Sequence, residues 1–154
     1  MIDDSMIGPR VRTVFAAAND EAARLCHHYV STEHMLLGLL DEGEGVGVTV
    51  LKNLGVDLEN LRSRAESTVK PGPRENAALV KRPFTARAKR ALDFAAIEAR
   101  AFGHQYLATE HLILGLIVEE HGIAGEVFHA LGVRADVARA ETARVLGASL
   151  PPVG

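Results

Sequence analysis

The sequence predicts an all-α protein made by tandem duplication of a four-helix unit, about eight helices in all. Three observations carry this. The six prolines among 154 residues stand at 9, 71, 73, 83, 151 and 152, so 10–70 and 84–150 lack the residue that helix interiors exclude. Alanine and leucine dominate an apolar content of 47%, and no stretch shows the period-two alternation of a half-buried strand, so no sheet is expected. Third, a shift of 77 residues without a gap lays His27-His-Tyr-Val-Ser-Thr-Glu-His-Met-Leu-Leu-Gly-Leu-Leu40 over His104-Gln-Tyr-Leu-Ala-Thr-Glu-His-Leu-Ile-Leu-Gly-Leu-Ile117, with eight of fourteen positions identical. The same shift pairs Arg10 with Arg87, Glu21 with Glu98, Gly45 with Gly122, and Leu54-Gly-Val56 with Leu131-Gly-Val133. A register of that extent marks one structural unit used twice. The chain reads as a single double-repeat domain, with repeat one at about 7–70, a Pro/Gly-punctuated linker at about 71–83, repeat two at about 84–147 and a tail at 148–154.

Within each unit the elements follow in order. The first helix, about 10–26 or 87–103, carries one apolar stripe at three- and four-residue steps: Val11, Val14, Ala18 and Ala22, or Ala88, Ala91, Leu92, Ala95 and Ala99. The second opens at Thr32 or Thr109 as N-cap, with Glu33 or Glu110 in the first turn where the helix dipole favours an anion, and is expected to end at the glycines of Asp41-Glu-Gly-Glu-Gly45 or at Gly122. It is apolar nearly all round, hence central. A third helix stops at Leu54-Gly55 or Leu131-Gly132, glycine supplying the left-handed cap. The fourth starts at Asp57 or Asp136.

Composition removes whole classes of function. Seventeen basic against twenty acidic residues give a net charge of −3, which argues against wrapping nucleic acid by bulk charge. The single Cys26 fits a reducing compartment and offers no zinc-thiolate set. No basic and apolar leader opens the chain and no run of 18 apolar residues occurs, so a soluble cytoplasmic protein without membrane contact is expected. Gly43-Glu-Gly-Val-Gly47 lacks the lysine of a phosphate loop, so no ATP hydrolysis is expected. Seven histidines show no metal spacing, and Cys26 matches Gly103 in the second copy, so neither a metal site nor a thiol nucleophile is expected.

The doubled Tyr-x-x-Thr-Glu-His-hydrophobic-hydrophobic-Leu-Gly-Leu block, the Glu42-Gly-Glu-Gly-Val46 turn and the paired Leu-Gly-Val segments resemble the double Clp N-terminal repeat domain at the front of ClpA- and ClpC-type AAA+ unfoldases, nearest the ClpC branch. The likeness covers about residues 7–147. It implies a pseudo-twofold pair of units that docks substrates and adaptors without catalysis, as a monomer lacking cofactors. Its implied partners are Clp ATPase or protease components, adaptor proteins, and unfolded or phosphoarginine-tagged chains. The matching glutamates, Glu33 and Glu110, are implied as grips for the guanidinium of phosphoarginine. Thr85, Arg87 and Arg10 are implied for its phosphate, and Ile7, Phe84 and Lys89 for an adaptor or peptide groove. Phe84-Thr-Ala-Arg87 keeps the family opening, whereas Ile7-Gly-Pro-Arg10 lacks the hydroxyl. The second copy is therefore expected to be the better anion site, with Glu110→Ala costing more than Glu33→Ala.

Simpler readings stand beside these. The threonines cap, the histidines turn inward, Ile7 and Phe84 staple their helices, and Lys81, Arg82, Arg87, Lys89 and Arg90 form a solvated basic face rather than an anion site. At the level of function the alternatives are a stand-alone regulator or decoy competing for Clp ligands, a histidine-dependent metalloenzyme, and an oligomerising helical module.

Overall fold

The computed structural model describes residues 3–148, so all but the first residue of the expected tail at 148–154 lies outside the described residues. Eight α-helices are found among them: α1 (Pro9–Arg24), α2 (Thr32–Glu42), α3 (Val46–Asn53), α4 (Leu58–Ser67), α5 (Ala86–Ala101), α6 (Thr109–Val118), α7 (Ile123–Ala130) and α8 (Ala135–Leu146). The described residues contain no strand. Two single bridges, Ile7 with Leu107 and Val30 with Phe84, stitch the start of each first helix to the loop before the other repeat's second helix.

The apolar stripes of α1 and α5 are buried, built from alanine and valine in α1 and almost wholly from alanine in α5. Small side chains let α2 and α6 lie close against them, at a glycine in each case. A Cβ on Gly38 would sit 2.6 Å from the Val14 carbonyl oxygen, and one on Gly115 2.2 Å from that of Ala91. These central helices are buried almost all round, as their sequence demanded. The third helices then cross between repeats: α3 packs on α6 and α8, while α7 packs on α2 and α4. One core, with Met35, Leu36, Leu51, Leu61, Leu112, Leu114 and Phe128 fully enclosed, serves both repeats.

Several expected helix ends move. Thr32 and Thr109 are first helical residues, and the caps are Ser31 and Ala108. The sixth helix stops at Val118 rather than Gly122, because Gly122 instead caps the start of α7. The last helix begins at Ala135, which leaves Asp136 inside its first turn. Cys26 is half-buried with φ of 60°, the left-handed position that Gly103 fills in repeat two at φ 77°.

Residues 71–83 are not a free strap. The Gly72 N–H donates to the Leu25 carbonyl at 2.9 Å, and Asn76 donates to that of Cys26 at 3.2 Å. Arg82 is buried and donates to the carbonyls of His27 (2.7 Å) and Asn76 (2.6 Å) and to Asn19 Oδ1 (3.1 Å). No helix among the described residues is long and apolar enough to cross a membrane.

Candidate functional site

Each residue of the Thr-Glu-His block does something different. Thr109 Oγ1 accepts the Gly47 N–H at 3.0 Å, and Thr32 Oγ1 accepts the Ala124 N–H at 3.3 Å. Each threonine thus satisfies an orphan donor at the start of the other repeat's third helix. The 77-residue shift exchanges the two bonds, which is the signature of an approximate twofold. Crowding confirms the fit, since a Cβ on Gly45 would lie 2.2 Å from Thr109 Oγ1 and one on Gly122 2.6 Å from Thr32 Oγ1.

The histidines close their own helix starts. The Ser31 N–H donates to His34 Nδ1, and the Ala108 N–H to His111 Nδ1, both at 2.9 Å. That fixes the proton on Nε2, which donates to His27 Nδ1 at 2.7 Å in repeat one and to His104 Nδ1 at 2.8 Å in repeat two. In repeat one the relay ends on the Lys70 carbonyl, 2.7 Å from His27 Nε2. Burial, then the neighbouring His27 and Arg82, push His34 down to about 3, and burial with His104 pushes His111 down to about 4. Both are neutral in the fold and take up protons only on unfolding. Their contribution to stability is therefore complete above the ordinary value of 6.5 and is lost as pH falls from there towards 4 and 3. Imidazole resonances followed by NMR should show His34 and His111 still neutral at pH 5; a midpoint near 6.5 for either would refute the buried relay.

The glutamates have no such structural duty. Glu33 is 3% exposed and Glu110 6%. Glu33 Oε1 is the one fully buried side-chain polar atom without a hydrogen-bond partner among the described residues. Burial raises both carboxyls above the usual carboxylate range, opposed at Glu33 by its own backbone N–H, the Ser31 hydroxyl and His27. Each implied guanidinium grip is thus an enclosed carboxylate, a costly arrangement that a cationic partner would relieve.

The helix starts pair with these glutamates across the repeats, which overturns the expected grouping. Thr85 N–H donates to the Val30 carbonyl at 2.9 Å, and the Thr85 hydroxyl to Ser31 Oγ at 3.0 Å, so Thr85 belongs with Glu33. Gly8 N–H donates to the Leu107 carbonyl at 3.0 Å, so Ile7-Gly-Pro-Arg10 belongs with Glu110. There an open cleft of about 640 Å³ is lined by Pro9, Arg10, Glu44, Val46, Tyr106 and Glu110, among others.

Neither expected arginine is a free cation. Arg10 is held by Glu42 at 2.7 Å and Arg87 meets Glu119 at 3.5 Å, with Arg90 on the same carboxylate at 3.4 Å. Glu42 and Glu119 are equivalent under the 77-residue shift, and each also accepts N–H groups of the turn that follows, including Gly45 and Gly122 at 3.1 and 3.0 Å. With Arg82 buried, Lys81 and Lys89 are the exposed members of the cluster without an ion pair among the described residues. Ile7 is buried in the core and offers no groove edge; Phe84 is half-buried, edge-on to Phe15 with ring centroids 5.3 Å apart.

The Clp repeat (R) N-terminal domain family matches residues 6–117 and 83–153. The chain belongs to this family. Chaperone protein ClpC1, chloroplastic, of Oryza sativa subsp. japonica is 41% identical over 141 residues, 92% of this chain and 15% of its own length. The negative regulator of genetic competence ClpC/MecB of Bacillus subtilis (strain 168) is 39% identical over 140 residues, 91% of this chain and 17% of its own length. This chain thus spans less than a fifth of either ClpC relative. The crystal structure of the N-terminal domain of the chaperone ClpD from Arabidopsis thaliana matches with a TM-score of 0.71 at 25% identity, covering 95% of this chain and 97% of that one. The Clp repeat resemblance read from the doubled Thr-Glu-His block is therefore correct, as is the all-α architecture.

One candidate ligand set was not foreseen from histidine spacing. His104, Glu110 and His111 place one ligand atom each within 4.8 Å of one another. The facing nitrogens of the two histidines already share a hydrogen bond that repeat one duplicates without a comparable third ligand, so the pair serves the helix start in both copies.

Proposed function

We propose that this Clp repeat domain is a substrate- and adaptor-docking module of a Clp AAA+ unfoldase system, working by binding without catalysis in a reducing, cytoplasm-like compartment. Its specific ligand in this reading is a phosphoarginine-tagged segment held at the Glu33 seam. The observation that carries this is the unpartnered buried Oε1 of Glu33, set beside the Ser31 and Thr85 hydroxyls. The guanidinium donates to Glu33 in a charge-assisted, bidentate contact. The two hydroxyls exchange their mutual bond for phosphate oxygens. The first N–H groups of α5 and the exposed ammonium of Lys89 complete the anion side.

Calorimetric titration with phosphoarginine tests this. Glu33→Ala should weaken binding at least about tenfold, since a hydrogen bond to a charged group is worth roughly 1.5–3 kcal/mol. Glu110→Ala should weaken it far less, the reverse of the order expected from sequence, because Thr85 bonds Ser31, two residues from Glu33. Wild-type protein that binds no phosphoarginine, or a larger loss at Glu110, refutes the assignment.

A further inference from the structure

The two seams differ at five equivalent positions: four differences take a potential anion-binding group from the Glu110 side, and the fifth adds a carboxylate there. Thr85 is replaced by Gly8 and Ser31 by Ala108, so both hydroxyls are gone. Pro9 stands where Ala86 has an N–H, which deletes a donor at the helix start. Lys89 is exposed, whereas its counterpart Arg12 is spent on Asp4, 3.2 Å away. His121 is matched by Glu44, which lines the cleft and adds a carboxylate. Gly8 cannot regain a side chain cheaply, because a Cβ there would lie 2.7 Å from the Leu107 carbonyl oxygen.

What remains suits a cation. Glu110 and Glu44 border the cleft, and the one positive group there, Arg10, is already neutralised by Glu42 at 2.7 Å with Glu44 3.7 Å away. Tyr106, 62% exposed, offers an aromatic face, and Pro9, Val46 and Leu107 supply apolar wall for an aliphatic stem. A volume of about 640 Å³ holds one long side chain and its flanking backbone.

We propose that the Glu110 seam binds the unphosphorylated guanidinium of an arginine side chain in an extended protein segment, leaving the phosphorylated form to the Glu33 seam. This rests on the reading of Glu33 and Glu110 as guanidinium grips. The module then engages a client at two chemically distinct points, tag and ordinary arginine, on the two seams of one core.

The test uses the whole chain, labelled for amide NMR, titrated separately with N-acetyl-arginine methylamide and with phosphoarginine. The arginine amide should shift Gly8, Tyr106 and Leu107, and Glu110→Gln should weaken that binding at least about tenfold while Glu33→Gln leaves it intact. Phosphoarginine should instead perturb Val30, Ser31 and the start of α5, and lose this effect in Glu33→Gln. An arginine amide that leaves the Glu110 seam unshifted, or phosphoarginine that fills both seams with similar affinity, overturns the proposal. Phosphoarginine that binds at neither seam, with the arginine amide still at Glu110, overturns the phosphoarginine reading and leaves this one standing.

Discussion

Glu33→Gln should make the protein more stable at neutral pH, by about 1–3 kcal/mol, while removing the phosphoarginine grip. The wild-type carboxylate is enclosed with one oxygen unpartnered, and the neutral amide avoids that desolvation penalty at nearly the same volume. The sign of the pH dependence follows from the direction of the shift. A carboxyl raised in the fold binds more protons there than in the unfolded chain, so its penalty is largest above the raised value. The penalty disappears as pH falls through that value towards the ordinary 4.5. The gain over wild type should therefore shrink on acidification, as urea unfolding at a series of pH values would show. Glu110→Gln should gain less, since an open cleft borders that residue. A variant at Glu33 that is less stable at every pH would mean the carboxylate is already satisfied, and the argument for a visiting cation would fail with it.

Gly115→Ala should be among the most damaging single-methyl additions in the molecule, with a loss of about 3 kcal/mol. Glycine to alanine within an unobstructed helix gains roughly 0.5–1 kcal/mol from propensity alone, so a loss isolates the steric term. The added Cβ would meet backbone, 2.2 Å from the Ala91 carbonyl oxygen and 2.8 Å from the Ala95 N, and can be accommodated only by separating α5 from α6. Gly38→Ala should behave alike against Val14 and Ala18. Gly55→Ala is the control: with φ of 81° and nothing within 4 Å of its Cβ, it should cost only about 1 kcal/mol of backbone strain. Chemical denaturation of the three variants distinguishes the cases, and a loss at Gly115 no greater than at Gly55 would show that the helix pair is not in tight contact.

Within a repeat the sequence was a good guide, because helix faces and glycine stops are set by residues close in the chain. The stripe Val11, Val14, Ala18 and Ala22 is buried, and Gly55 and Gly132 do take positive φ. What spacing could not convey is which repeat a side chain faces. The offset that matches Thr85 with Gly8 says nothing of the twofold that carries Thr85 to Ser31 and leaves Gly8 against Leu107. Thr32 and Thr109 looked like caps for their own helices and are caps for distant ones. Lys81, Arg87, Lys89 and Arg90 are exposed, as a solvated basic face requires, but spacing could not show that Glu119, 29 residues beyond Arg90, takes two of the arginines or that Arg82 turns into the protein. The acidic partner had a visible sign all the same: Glu42 and Glu119 recur at the 77-residue offset, as Glu33 and Glu110 do.

The crossed threonine caps bear on how such a molecule could arise. A lone unit would carry a third helix with an unmet donor at its start and a threonine with nothing to receive, and only a second copy could answer both needs at once. Two separate halves could exchange these bonds only as a symmetric dimer, an encounter that depends on concentration, whereas in one chain the encounter is intramolecular. Joined in one chain, the two interfaces need not be identical, and here one carries the Thr85 and Ser31 hydroxyls while the other has Gly8 and Ala108.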